Sequence, residues 1–453
     1  MHFTHRFTSA DQHAFALLSG DWNPMHMDAA SARRTVFGER VVHGVHSLLW
    51  ALSVAAPRGA LAHLDVKFQK GVLLGSELHC TMKGTPEAFN IVVSIDGAPA
   101  VKIKGRTGSF ARSCAPRSAP EHDRQAAVVK YADASGMRGT ATLGCDDNLL
   151  GKLLPGLSLP TWQTEVLLAT TRVVGMQCPG LHSIYAGLTM DFDEPIESNL
   201  LSYAVQTEDS PYSSVEIMFD GAGAHGKARA LFRPPPQAQA TYADAALSVT
   251  PSEFQSWRAL VVGGSRGLGE VAAKLITAGG GSVCLTYAIG ADDARKICDE
   301  LQSAGREAHA VRLDVTQTEL PMLPWQPTHL LYFATPQIPT DRAENFSMTH
   351  FTRLCDYYVE GFHRLVTSLP SLNAILYPST IYLDEHKPQL AAYCAAKAAG
   401  EVLCRHLAGS RRIHMPRLPR LATDQTTGIT SNSAPAALPV ILRELRTLGA
   451  LKP

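Results

Sequence analysis

Hydrophobic and polar positions along the chain change period in a way that divides it into three stretches. From Val41, the segment VVHGVHSLLWALSVAA spaces its apolar residues as a buried helix does, entered through His43 and Gly44. Strand-length segments follow: LDVKFQKGVL, SELHCTMKG, NIVVSIDG and AVKIKGRTGSF alternate or run apolar between glycine-containing turns. One helix followed by an antiparallel meander predicts an α+β unit whose sheet wraps the helix. TWQTEVLLATTRVVGM repeats the helix, and LHSIYAGLTMDF, LLSYAVQTED, SSVEIMFDG and GKARALFR repeat the strands, so a second copy of the same plan is expected. Beyond it, RALVVGGSRGLGEVAAKLITAGG reads as strand, glycine-rich turn and amphipathic helix. SVCLTYA, AHAVRLDV, HLLYFAT and AILYPST are further strands, interleaved with helices such as ADDARKICDELQSAG and AAYCAAKAAGEVLCRHLAG. That alternation predicts a parallel, doubly wound sheet.

Two stretches rich in Pro, Ala and Ser, one starting at Ala111 and one at Arg233, separate these pieces. The expected domains are 1–115, 125–235 and 256–453, matching the three units or so that 453 residues suggest. Lys plus Arg and Asp plus Glu both number 41, so no global field draws the chain to nucleic acid or anionic lipid. An anionic ligand therefore needs a local site. The nine cysteines include no Cys-x-x-Cys pair, which argues against zinc and disulfide frameworks, and no metal site is expected. No apolar run approaches membrane-span length and MHFTHRFTSADQH lacks an export-signal plan, so a cytoplasmic location is expected.

The first chemical candidate lies in SGDWNPMHMD. Asp21 and His26 flank the Asn23-Pro24 turn, which can bring a carboxylate and an imidazole face to face. Such a pair can orient one water, remove its proton and return a proton to carbon. A backbone N–H at the start of the next helix, that of Gly44, could polarise a thioester carbonyl. The same residues also serve as turn caps and packing groups in many proteins.

The wider run from Phe7 to Leu49 resembles the (R)-specific enoyl-CoA hydratase motif of MaoC-like hot-dog proteins. Phe15, Ser19, Gly20, Asn23, Pro24, Asp28, Phe37, Gly38, His43 and Gly44 stand in register with it. The resemblance implies that Asp21 and His26 are a catalytic dyad for reversible hydration of a trans-2-enoyl thioester to a (3R)-hydroxyacyl thioester. The carrier would be CoA or acyl carrier protein. The second copy looks like a degenerate hot dog, lacking the Asp-x-Asn-Pro-x-His run, and its His182 reads as structural.

In the last stretch, Gly263, Gly267 and Gly269 follow a strand and open a helix, so backbone can approach a pyrophosphate. Ser265 and Leu268 belong to the same turn. The second strand ends at Thr286-Tyr287 without a carboxylate for a ribose hydroxyl, while Arg266 can meet a 2′-phosphate, so NADPH/NADP is expected. Asp314 is a candidate contact to the adenine amino group, or alternatively a strand-end cap. Tyr393 and Lys397 share a helix face, and Ser379 precedes them at a strand end. A phenol whose pKa is lowered by an ammonium can protonate a developing alkoxide.

These motifs together resemble the short-chain dehydrogenase/reductase family, of the 3-ketoacyl reductase type, from about residue 257 onward. The resemblance implies Ser379, Tyr393 and Lys397 as catalytic triad, with Thr380 a neighbouring hydroxyl able to replace the serine. Departures are Val262 for the usual Thr, YFAT from Tyr332 to Thr335 for Asn-Asn-Ala-Gly, Tyr358 or Glu360 for the helix Asn, and Arg420 after Pro419 for Gly.

The expected architecture is thus multidomain α+β and α/β: an N-terminal double hot dog followed by a Rossmann-type doubly wound parallel sheet. The expected function is that of a bifunctional acyl-thioester hydratase-dehydratase and NADPH-dependent 3-ketoacyl reductase. The two reactions share the 3-hydroxyacyl thioester. The alternative is that one half alone is catalytic and the other is a structural, cofactor-binding or carrier-docking module. Both families commonly associate, so the resemblance also implies a homo-oligomer.

Overall fold

The computed structural model describes residues 2–55, 59–85, 87–112, 114–115, 117–207, 212–340, 346–428 and 434–451. The chain folds as two compact units, the first built from the residues up to Pro235, the second from Pro236 to Thr427 with the C-terminal segment.

In the first unit, ten strands form one antiparallel sheet: β1 (His2–His5), β2 (Ala60–Phe68), β3 (Leu78–Gly84), β4 (Ala88–Ile95), β5 (Ala98–Gly108), β6 (Arg138–Thr142), β7 (Ser183–Phe192), β8 (Leu200–Thr207), β9 (Ser214–Gly221) and β10 (Ala224–Phe232). Their order is β1-β3-β4-β5-β2-β7-β10-β9-β8-β6. The halves mirror one another about the β2–β7 seam, where Asp65 faces Thr189 and Val66 faces Leu188. The two sequence copies are therefore one sheet and one core. Each copy contributes one buried helix, Gly44–Ala55 and Thr161–Arg172, and the two helices pack together. Leu48, Leu49, Leu64, Ile91 and Ile103 from the first copy and Val166, Leu167, Met190 and Ile217 from the second share a single apolar cluster. Strict alternation in β5, exposed Lys102, Lys104 and Arg106 against buried Val101, Ile103 and Gly105, turns one face to that core and one to water.

The short strands β1 and β6 were not expected from the pattern; each pairs at one end of the sheet, β1 on β3 and β6 on β8. The predicted strand from Leu64 stops at Phe68, and the predicted helix from Thr161 changes pitch after Arg172 into a π-turn, Val173–Gln177.

The second unit holds a six-stranded parallel sheet of β11 (Arg258–Val262), β12 (Ser282–Tyr287), β13 (Ala308–Arg312), β14 (His329–Tyr332), β15 (Ala374–Leu376) and, after the short β16 (Ser379–Thr380), β17 (Arg412–His414). Its order is β13-β12-β11-β14-β15-β17; β16 pairs separately with β18 (Arg417–Leu418). Alternation along the strands feeds two clusters, one on each face: Ala259, Val261 and Leu285 in one, Leu260, Val262 and Cys284 in the other. This is the doubly wound arrangement, and its order reverses between β11 and β14, the point at which sheets of this kind take ligands beyond the strand ends. Among the described residues, no helix is long and apolar enough to cross a membrane.

Candidate active sites

The turn carrying Asp21 and His26 is built locally from caps. Thr8 and Asp11 form a capping box that starts the helix Ser9–Ser19, and Gly20 ends it in the left-handed conformation. The Asn23 side chain then accepts from Met25 N, with Pro24 at the first helical position, so the chain reverses just after Asp21. Asp21, His26 and His43 are all buried, and ligand-type atoms of the three lie within 4.8 Å of one another. The rings of His26 and His43 stack at 3.9 Å. His43 Nε2 donates to the Asp21 carbonyl at 3.0 Å, which commits that nitrogen to the backbone.

The tautomer of His26 follows from its partner. Nδ1 lies 2.8 Å from the Val41 carbonyl, which can only accept, so Nδ1 carries the hydrogen and Nε2 of the neutral ring offers a lone pair. Burial lowers the His26 pKa, which favours that neutral ring, although the Asp21 charge pulls the other way. Burial raises the Asp21 pKa, and His26, a hydrogen bond from Thr171, the Asn23 N–H and Arg172 all work to keep the carboxylate charged.

Two of these partners, Thr171 and Arg172, belong to the second copy. Thr171 Oγ1 donates to Asp21 Oδ2 at 2.8 Å, and Asn23 N donates to Oδ1 at 3.2 Å. Gly175, in the π-turn, leaves room for the carboxylate: a Cβ there would stand 2.3 Å from Asp21 Oδ1. Asn23 Nδ2 in turn donates to the carbonyls of Gly175 at 2.9 Å and Gly180 at 3.0 Å. Arg172 is buried and donates to Ser19 O, His122 and Thr142 O. The sequence reading assigned the second copy no part in the site. A signal was present, because the helix Thr161–Arg172 is buried all round and yet holds Gln163, Thr164, Glu165, Thr170, Thr171 and Arg172. Gly44 begins the helix Gly44–Ala55, where a first-turn N–H has no partner within the helix. His182 is half-buried with Arg233 as its charged neighbour.

In the second unit, β11 runs into the glycine-rich turn and the helix Gly267–Ala278. Gly263 and Gly267 have φ of 76° and 58°, and a Cβ on Gly269 would stand 2.4 Å from Gly263 O. The backbone is thus shaped to lie close to a ligand at a helix N-terminus, which fits the phosphates of a dinucleotide. Ser265 is buried within the turn and Leu268 packs on the adjoining core. Arg266 is 3.2 Å from the Asp424 carboxylate. Asp314 Oδ1 accepts from Thr316 N at 3.0 Å and Thr316 Oγ1 at 2.7 Å, the geometry of a strand-end turn.

The helix Ala391–Leu407 carries Tyr393 and Lys397. Burial pushes the pKa of the Tyr393 phenol up, and the Thr380 hydroxyl partly offsets that push. The neighbouring Ser379 hydroxyl is committed elsewhere, donating to Glu401 Oε1 at 2.6 Å, and Arg417 Nε also reaches that oxygen at 3.1 Å. Of the two adjacent hydroxyls, Thr380 is the one that acts on the Tyr393 phenol, while Ser379 is held by Glu401. Lys397 is buried, donates to Pro378 O at 2.7 Å, and lies over the Tyr358 ring at 3.9 Å and the Tyr377 ring at 5.1 Å. Burial brings its ammonium down to about 7, while the ring faces favour the charged form.

The replaced family positions have local partners. A π-turn at Asp356–Gly361 shifts the backbone, and Tyr332 donates to Tyr357 O at 2.6 Å and Tyr377 to Tyr358 O at 3.0 Å. Thr335 and Tyr358 share a 2.5 Å hydroxyl contact. Tyr358 thus stands against Lys397 with its ring, not its hydroxyl.

Comparison with known proteins matches residues 3–90 to the MaoC like domain family and residues 258–320 to the short chain dehydrogenase family. A mitochondrial 3-hydroxyacyl-[acyl-carrier-protein] dehydratase of Arabidopsis thaliana is 37% identical over 78 residues, 17% of this chain and 47% of that protein. An (R)-specific enoyl-CoA hydratase of Aeromonas caviae is 50% identical over 40 residues, 9% of this chain and 30% of that protein. The chain thus spans less than half the length of the curated relatives it matches. Among solved structures, a short chain dehydrogenase from Burkholderia cenocepacia in complex with NADP aligns with a TM-score of 0.38 at 20% identity, over 43% of this chain and 91% of that one.

Proposed function

We propose, for a chain that carries a MaoC-like domain at its N-terminus and a short-chain dehydrogenase region toward its C-terminus, that the first unit interconverts a 2-enoyl thioester and its (3R)-hydroxyacyl thioester and the second reduces a 3-ketoacyl thioester with NADPH. The observation that bears most weight is the buried meeting of Asp21 with His26, the imidazole held by Val41 O in the tautomer that presents Nε2. One water hydrogen-bonded to both groups adds its oxygen to C3 of the enoyl chain. Its proton passes to the pair, the π electrons move onto the thioester oxygen under the Gly44 N–H, and C2 then takes a proton from the pair as the carbonyl re-forms. Against the upward push of burial on the Asp21 pKa, His26, Thr171, the Asn23 N–H and Arg172 each favour the carboxylate.

In the second unit, the glycine-rich turn and the N-terminus of Gly267–Ala278 would hold the phosphates of a nicotinamide dinucleotide, with Ser265, Arg266 and Leu268 in that turn and Asp314 the candidate contact to its adenine. The bound cofactor supplies the hydride. Tyr393 protonates the oxygen of the substrate carbonyl, Thr380 orients that oxygen, and Lys397, one turn further along the same helix, is the candidate cation for lowering the phenol's pKa.

Asp21→Asn tests the first reaction by enoyl-thioester absorbance: a loss of about a hundred- to ten-thousandfold in rate is expected, and an unchanged rate removes the dyad. A second reading, in which the C-terminal unit binds cofactor without turnover, is favoured by the diversion of Ser379 to Glu401. Oxidation of NADPH with acetoacetyl thioester by the native chain, lost in Tyr393→Phe, rules that reading out.

A further inference from the structure

Residues 422–427 run across the open end of the parallel sheet and are tied down on both sides of the β11–β14 switch point. On one side, Thr423 Cγ2 stands 3.6 Å from where a Cβ of Gly267 would lie, and Asp424 Oδ2 is 3.2 Å from Arg266 Nη1. On the other, Gln425 Nε2 donates to Pro336 O, just beyond β14, at 2.7 Å. The segment is braced from behind by Gln239 Nε2 on Ala422 O at 3.1 Å, Pro435 O on Ala422 N at 2.9 Å, and Gln237 N on Asp424 Oδ1 at 2.6 Å. Asp424 is buried, with 4% of its side chain exposed against 25% for Arg266.

A carboxylate so held does to Arg266 what a bound anion would do. It occupies the charge of the one guanidinium in the glycine-rich turn, and it carries its own negative charge to the place where a nucleotide phosphate would come. We infer that Asp424 is an internal competitor for Arg266 and thereby sets how strongly this site favours a 2′-phosphorylated dinucleotide over the unphosphorylated one. A phosphate dianion with fork geometry can displace a single carboxylate contact, but only by paying the cost of breaking it. A cofactor with a free 2′-hydroxyl leaves the Arg266–Asp424 pair intact and meets no such barrier. The inference rests on the reading that the turn binds a nicotinamide dinucleotide.

The test is fluorescence titration of NADPH and NADH into the full chain, with 2′-AMP and 5′-AMP as displacing probes. Asp424→Asn keeps an acceptor for Gln237 N but removes the charge; it is expected to tighten NADPH and 2′-AMP about tenfold and to leave NADH and 5′-AMP within about twofold. Gln425→Ala, which loosens the segment without touching the ion pair, is expected to shift NADPH in the same direction by less, and serves if Asp424→Asn does not fold. In an Arg266→Gln background, Asp424→Asn should tighten NADPH by clearly less than in the native chain, because only the direct repulsion of the phosphate is then relieved. Weaker NADPH binding in Asp424→Asn, or equal shifts for both cofactors, overturns the competitor role alone. Failure of the native chain and all variants to bind either cofactor overturns the cofactor reading and the inference with it.

Discussion

Replacing Thr171 with Val removes one hydrogen bond, 2.8 Å long, from a carboxylate that is otherwise shut away from water. The shape of the side chain is nearly kept, so the change is electrostatic. A hydrogen bond to a charged group is worth about 1.5–3 kcal/mol, which at about 1.4 kcal/mol per tenfold is roughly ten- to a hundredfold in the balance between ionised and protonated Asp21. Burial already raises the Asp21 pKa and Thr171 opposes it, so the substitution drives it higher. Rate with respect to pH, followed by enoyl-thioester absorbance, is expected to show its acid limb displaced toward higher pH, with kcat/KM near neutrality down by up to that factor. Stability responds with a definite sign. A carboxyl whose folded pKa lies above its unfolded value stabilises the fold below the unfolded value and loses that contribution as pH rises through the folded one, so Thr171→Val widens the window of loss. Thr171→Ser should restore both measurements. A Thr171→Val enzyme with the native pH profile and a rate within about twofold refutes the argument that the second copy controls Asp21.

Three further outcomes are expected. Thr380→Val should lower NADPH-dependent reduction of acetoacetyl thioester about ten- to a hundredfold, with Ser379→Ala milder; the reverse ranking restores Ser379 to the phenol. Because burial depresses Lys397 from 10.5 to about 7, the second unit should gain stability as pH rises from about 7 toward 10.5 and lose it as pH falls back through 7. Thermal unfolding of Lys397→Met should lack that slope; an unchanged slope assigns it elsewhere. Arg117→Ala strands the Glu165 carboxylate, whose side chain is 0% exposed and 2.5 Å from the guanidinium, and should cost about 3–5 kcal/mol in denaturant unfolding. A loss within experimental error shows that Glu165 takes up a proton instead.

Much of this molecule is legible in local pattern. Period and turn residues mark both buried helices, most strands and the glycine-rich turn, because each is decided within a dozen positions. The Asp21–His26 turn is legible for the same reason: its caps, Asn23 and Pro24, are neighbours in the chain. Thr171 was missed because it meets Asp21 across 150 positions and sits in a helix whose polar residues carry no motif. Ser379 and Thr380 differ by one step in a strand, and one step exchanges the face a side chain presents. Spacing to Tyr393 therefore could not decide which of them reaches the phenol. Arg266 was legible as a cation beside a glycine turn, while its partner Asp424 lies 158 positions away.

The seam between β2 and β7 places two related halves on one continuous polypeptide. Assembled from two identical subunits, such a sheet would force every residue to serve both roles at once, and a glycine that admits one carboxylate would open a hole at its symmetry mate. Carrying both halves on one chain lifts that obligation. Gly175 and Thr171 are at liberty to suit Asp21 alone, so a polar-to-apolar change at Thr171 should announce itself as lost chemistry while the fold stands.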